Sequence, residues 1–86
     1  MKVGVAGSAN SNDILVTVQE SEKLEIEITS IVDAFFHDQI EKVIIDTLNE
    51  LNIKNVKVTC QDKGALDYTI KARLVTALTR MEQSNA

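Results

Sequence analysis

The spacing of apolar residues predicts an α+β fold: a small β-β-α-β-α domain, with a three-stranded sheet and two helices packed on its one apolar face. Three observations carry this reading. Leu24-Glu25-Ile26-Glu27-Ile28 alternates strictly between apolar and charged residues, as a strand with one buried face does. Val32, Phe36, Ile40, Val43, Thr47 and Leu51 recur every three or four residues, which sets them along one side of a long helix. Beyond Gly64 the helical spacing returns at Leu66, Ile70, Leu74, Ala77 or Leu78, and Met81.

The elements follow in chain order. Residues 1–13 are small and polar (Gly4, Ala6, Gly7, Ser8, Ala9, Asn10, Ser11, Asn12), a composition that favours turns and loose structure, so a flexible lead-in is expected. Ile14-Leu15-Val16-Thr17-Val18 is apolar and β-branched and reads as a strand. A polar connection over 19–23 leads to the alternating strand at 24–28, and a hairpin of the two is the economical pairing. Ser30-Ile31-Val32-Asp33 reads as a helix start, with Ser30 capping and Asp33 reaching back. Phe35, Ile44 and Leu48 widen the apolar stripe, while Asp33, His37, Glu41, Lys42, Asn49 and Glu50 fall on the other side. That helix ends around Asn52. Val56, Val58 and Cys60 alternate with Lys57 and Thr59 as a third strand, and Asp62-Lys63-Gly64 makes a turn into the second helix. The folded domain therefore spans 14–82, and 83–86 are expected to fray.

Composition narrows the function. Eighty-six residues make a single domain, near the size at which one apolar core is only just sufficient. With two Phe, one Tyr and no Trp, the core must come from Ile, Val and Leu, and an independent active site is not expected from so little material. The net charge of −4, with nine basic residues scattered among thirteen acidic ones, argues against a nucleic-acid partner. Too few aromatics exist to stack on single strands. An acidic surface suits docking on basic patches of larger partners. The single Cys60 forms no internal disulfide, which fits a reducing cytoplasm. No signal peptide is recognisable and the apolar runs fall far short of a membrane span, so a cytoplasmic location is expected.

Four groups could carry chemistry. His37 is the only histidine and falls opposite the apolar stripe, where a solvated helix residue is expected rather than a metal or catalytic site. Cys60 shares a strand face with Val56 and Val58 and reads as a small buried hydrophobe; a Cys–His pair is the only conventional nucleophilic arrangement available. Asp62 and Asp67 could form an acid–base pair, but Gly64 supplies a turn between them and an acid at a helix start favours its dipole. Ser8 and Ser11 stand in the lead-in, where another enzyme could reach them, and have no neighbouring base. Read from the residues, this stretch is either an ordinary polar lead-in or the acceptor of a modification.

A resemblance bears on that choice. Val5-Ala6-Gly7-Ser8-x-x-Ser11-x-Asp13-Ile14 resembles the attachment segment of the citrate lyase acyl carrier proteins, the gamma chains of that complex. Asp62-Lys63-Gly64-Ala65-Leu66-Asp67, followed by Lys71-Ala72-Arg73, resembles the second signature of the family, and the long helix matches in position and pattern. The likeness covers nearly the whole chain. It departs at Asn10 and Gln61, where acidic residues are expected in relatives. The chain also lacks the Asp-Ser-Leu motif of the four-helix acyl carriers.

The resemblance implies that Ser11 carries a phosphoribosyl-dephospho-CoA group through a phosphodiester, with Ser8 the weaker candidate. It implies a non-catalytic subunit that carries acetyl and citryl thioesters while citrate is cleaved to acetate and oxaloacetate. The partners so implied are an alpha subunit (acyl transferase), a beta subunit (citryl lyase) and a prosthetic-group transferase, without which a recombinant sample is apo. The carrier of malonate decarboxylase is the nearest alternative. An unmodified ligand-binding or oligomerisation module is a rival of another class, and a stand-alone hydrolase is a poor third.

Overall fold

The computed structural model describes residues 2–31 and 34–84, the side chains of 34 and 35 apart. Its elements are β1 (Val3–Gly7), β2 (Ile14–Glu20), β3 (Glu25–Ser30), α1 (Ala34–Glu50), β4 (Val56–Asp62) and α2 (Asp67–Glu82). The α+β class is as the sequence predicts, and the sheet has four strands rather than three, in the order β1-β2-β4-β3.

The additional strand comes from the segment expected to be a loose lead-in. Val3, Val5 and Gly7 face outward while Gly4 and Ala6 are buried, and β1 pairs antiparallel with β2 from Val3↔Gln19 to Gly7↔Leu15. Small residues stand at the inward positions because α2 lies directly on them. A Cβ on Gly4 would run into the Ala77 carbonyl oxygen and stand 2.5 Å from the Met81 amide nitrogen. The Arg80 guanidinium also crosses to the Val5 carbonyl, at 2.8 Å. What looks like turn composition is the imprint of a close helix.

The expected hairpin does not form either. β4 inserts between β2 and β3, antiparallel to the first and parallel to the second. The seventeen-residue α1 spans the domain between β3 and β4, so the chain re-enters the sheet at the end where β3 began and the two strands run parallel. β3 is left as an edge, with Glu25, Glu27 and Thr29 outward and exposed, a charged border that discourages further strand pairing.

Both helices cover one face. The core joins Ile14, Val16 and Val18 of β2 with Val56, Val58 and Cys60 of β4, Ile40, Ile44 and Leu48 of α1, and Ile70, Leu74, Ala77, Leu78 and Met81 of α2. The stripe on α1 is shorter than its periodicity suggests: Phe36 and Leu51 at its ends are 49% and 45% exposed. Ser30 is the last residue of β3 rather than a helix cap, its hydroxyl donating to Asp62. Val32 and Asp33, expected in that cap, lie outside the described residues. The other end of α1 closes where predicted. Asn52 adopts a left-handed φ of 56°, its amide bonds to the Asn49 carbonyl, and the Ile53 amide to that of Leu48. Of the tail expected to fray, Gln83 and Ser84 still donate to the carbonyls of Thr79 and Met81.

Replacing Gly4 by Ala sets a methyl group against helix backbone that has no room to yield. Gly4→Ala is expected to lower unfolding stability by at least about 1–3 kcal/mol, measured by urea denaturation; an unchanged midpoint would show that β1 does not seat on α2.

Candidate functional site

Residues 8–13 connect β1 to β2, and hydrogen bonds close this connection at every level. Its base is the Ser8 amide donating to the Ile14 carbonyl at 3.2 Å. Its tip is a β-turn in which the Asp13 amide donates to the Asn10 carbonyl at 3.1 Å. Asn12 takes the third position of that turn with a φ of 65°, a conformation that Asn tolerates better than most residues. Ser11 takes the second position, at the outer corner. It is exposed, and its hydroxyl has no hydrogen bond among the described residues.

Asp13 holds the turn in place. Its carboxylate accepts the Ser8 hydroxyl at 2.7 Å, the Ile14 amide at 2.8 Å, and the Arg73 guanidinium through two contacts of 3.1 Å, Nε to Oδ1 and Nη2 to Oδ2. Only 17% of the Asp13 side chain is exposed. The Ser8 hydroxyl, then Arg73, then the Ile14 amide all favour the carboxylate form, so the pKa of Asp13 falls from 3.8 to about 2. Ser8 is therefore committed: it donates to Asp13 and its oxygen accepts the Asn10 amide at 3.3 Å. The two serines that the sequence left side by side differ in that one is tied into the brace and the other is presented.

The second sequence segment lies against the first. The Asn12 amide donates to the Lys63 carbonyl at 2.8 Å and the Lys63 amide to the Asp13 carbonyl at 2.9 Å, extending the β2–β4 ladder past the Ile14↔Asp62 pair. Gly64 turns away with a φ of 95°, and a Cβ there would stand 3.6 Å from Asn12 Oδ1. Asp62 is buried at the end of β4. It accepts the Ser30 hydroxyl at 2.9 Å and the Ala65 amide at 3.0 Å, so it ties the end of β3 to the approach to α2. Asp67 accepts Gln39 Nε2 at 2.8 Å. Both carboxylates thus have structural partners, and they flank one small cleft, of about 160 Å³, between the starts of α1 and α2.

His37 and Cys60 are not brought together. His37 stands partly exposed on α1 with its Nδ1 3.7 Å from an Asp38 carboxylate oxygen. Cys60 is fully buried in β4, where burial and then the neighbouring Asp62 carboxylate push its thiol up to about 12. Among the described residues no group of three or more His, Cys, Asp or Glu could hold a metal ion. Arg73 is the bracing residue whose role the sequence did not disclose: it stands sixty positions from Asp13, and no local pattern pairs them.

The turn thus presents one exposed hydroxyl, Ser11, on a corner braced by Asp13. Comparison with known proteins gives the family. Residues 1–81 match the family described as malonate decarboxylase delta subunit (MdcD). The citrate lyase acyl carrier protein of Treponema denticola is 48% identical over 79 residues, covering 92% of this chain and 91% of that one. That of Oenococcus oeni is 48% identical over 80 residues, covering 92% and 82%. In the crystal structure of a Pseudomonas malonate decarboxylase hetero-tetramer in complex with malonate, one chain shares the fold with a TM-score of 0.72 at 16% identity, over 95% of this chain and 82% of that one. The class so defined is an acyl carrier built on a small α+β domain, not on a four-helix bundle. Within it, the chain belongs to the family of citrate lyase acyl carrier proteins.

Two outcomes follow from these environments. A carboxylate whose folded pKa lies below its unfolded value stabilises the fold above the unfolded value and loses that effect as pH falls through the folded one. The melting-temperature difference between wild type and Asp13→Asn is therefore expected to be full above pH 3.8 and to shrink as pH falls towards about 2, read by thermal melts across that range. The Cys60 thiol is expected to ignore an aromatic disulfide reagent in the native protein at about pH 8 and to react fully once the chain is unfolded.

Proposed function

We propose that this chain is the acyl carrier subunit of citrate lyase, without catalysis of its own, and that Ser11 bears a phosphoribosyl-dephospho-CoA arm through a phosphodiester. The observation that carries the reading is the contrast within the turn: Ser11 is presented at the corner, while Ser8 is bound to Asp13 and Asn10. The residues suit a covalently held group. A corner hydroxyl can enter the active site of a transferase, and Asp13, kept as a carboxylate by Ser8 and Arg73, holds the turn in one shape for recognition. When bound, the arm supplies a thiol on which acyl groups are held as thioesters.

The domain's part is then to tether and to dock. A braced turn fixes the root of the arm, and the arm itself provides reach between an alpha subunit that exchanges acetyl for citryl and a beta subunit that cleaves the citryl group. Tethering keeps the acyl group at high effective concentration near both sites. An acidic domain, net charge −4, suits docking on basic surfaces of such subunits. A cytoplasmic setting is part of the proposal; among the described residues no helix is long and apolar enough to cross a membrane. The carrier of malonate decarboxylase is the second reading, favoured by the family description and the shared fold. The higher identity to the citrate lyase carriers supports the first.

The test is the intact mass after co-expression with the prosthetic-group transferase system, followed by fragmentation of tryptic peptide 3–23. Wild type and Ser8→Ala are expected to gain a dephospho-CoA-type adduct on Ser11, and Ser11→Ala none. An unmodified wild type, with the transferase active on a known carrier, would replace this reading with an unmodified binding module. Citrate cleavage after mixing the modified chain with alpha and beta subunits decides between the two carriers.

A further inference from the structure

Resting on the attachment at Ser11, we propose that the cleft between the starts of α1 and α2 is a resting site for the far end of the arm, and that it accepts a small uncharged acyl thioester while excluding one that bears carboxylates.

The cleft and the Ser11 turn share a wall. Gly64 lines the cleft, a Cβ on it would touch Asn12 Oδ1, and Asn12 is the residue after Ser11, hydrogen bonded to Lys63. An arm rooted at Ser11 therefore starts one residue from a side chain that adjoins the wall of the cleft. The interior is mainly apolar, with Ile40 and Ile70 buried and Ala65 half-buried beneath it and Asp62 at its side. Its volume of about 160 Å³ compares with roughly 150 Å³ for an apolar cavity that holds a benzene-sized guest. An acetylated cysteamine end is of that size.

Leu66 is the second, independent sign. It occupies the N-cap of α2, makes no side-chain capping bond, and is 60% exposed at the rim of the cleft. Ser, Thr, Asp or Asn would serve the helix better there, and an exposed leucine gains nothing from water. Asp67 in the first turn serves the helix dipole but does not replace the missing cap, and a local rule broken in this way points to a ligand; a leucine at the lip of a mainly apolar cleft gives an apolar guest a wall to lie against.

The flanking charges decide which guest enters. Asp62 and Asp67 both line the cleft, and both have their hydrogen bonds made by the protein, with Ser30 and Ala65 on one and Gln39 on the other. Among the described residues lining the cleft no cationic side chain is present to pair an entering carboxylate. An acetyl group meets mainly apolar surface and needs no counter-charge. A citryl group would bring unpaired charges against two carboxylates and so stays outside, exposed to the subunit that cleaves it.

The experiment uses the full-length carrier with its arm confirmed by mass, so that a missing adduct refutes the attachment separately. Neutral hydroxylamine cleaves thioesters; its rate on the acetylated carrier is compared with that on free S-acetyl-dephospho-CoA, and methyl NMR follows Ala65, Leu66 and Ile70. Protection of about fivefold or more, from a resting state populated at that ratio, is expected with shifts at those methyls. Ala65→Leu, which fills the cleft, and Leu66→Ser, which supplies a favoured cap and removes the lip, are both expected to return the rate to that of the free thioester. A thioester of a tricarboxylic acid is expected to show neither protection nor shifts. Equal rates for the acetylated carrier and the free thioester would overturn the proposal, as would shifts that depend on carrier concentration, which would assign the cleft to a second copy. Equal protection of the charged thioester would overturn the exclusion.

Discussion

The Asp13 carboxylate is the joint between the two ends of the chain. It receives a hydroxyl from the turn, an amide from the start of β2 and a two-pronged guanidinium from α2, so no part of it is left to solvent alone. Bidentate, charge-assisted contacts of this kind fix direction as well as distance. The orientation of Ser11 is consequently inherited from α2, and α2 is set by the packing of Ile70, Leu74, Ala77, Leu78 and Met81 against the sheet. A side chain at the surface is thus positioned by the core through a single carboxylate.

That arrangement depends on a second constraint, the absence of bulk on the inner face of β1. Gly4 and Ala6 let the backbone of α2 settle on the strand, and the Arg80 contact to Val5 secures the same approach further along. With larger residues there the helix would stand off, and Arg73 would lose its reach to Asp13. The outward positions of β1 are Val3 and Val5, which remain 39% and 43% exposed, so this strand is held by its inner face and its ladder to β2.

A turn braced by hydrogen bonds suits a carrier that partner proteins must grip. Ordering the turn beforehand removes the entropy that a floppy segment would lose each time a partner grips it. The four-stranded sheet contributes by bringing 8–13 and 62–67 onto one end of the molecule, where β2 and β4 run side by side. Two sequence segments about fifty residues apart thereby form one surface, with the Ser11 corner on one side of Gly64 and a mainly apolar cleft on the other.

The sequence by itself determined the fold class, both helices, three of the four strands and the interest of the Ser8–Ser11 stretch. These rest on periodicity and local chemistry: Leu24 to Ile28 alternates, Ile70 to Met81 follows a helical face, and Asn52 ends α1 as a residue tolerant of left-handed φ. Only the tertiary structure decided the rest. β1 was hidden because a strand that yields to a close helix must be built of Gly and Ala, the same residues that mark loops. The order β1-β2-β4-β3 was hidden because short connections favour a hairpin locally, whereas the core is better closed by placing β4, alternately buried along its length, between β2 and β3. That Ser8 is bound while Ser11 stays exposed rests on Asp13, itself held by an arginine sixty residues away. Local patterns encode local geometry; which serine is bound and which is offered depends on contacts that exist only once the two ends of the chain have met.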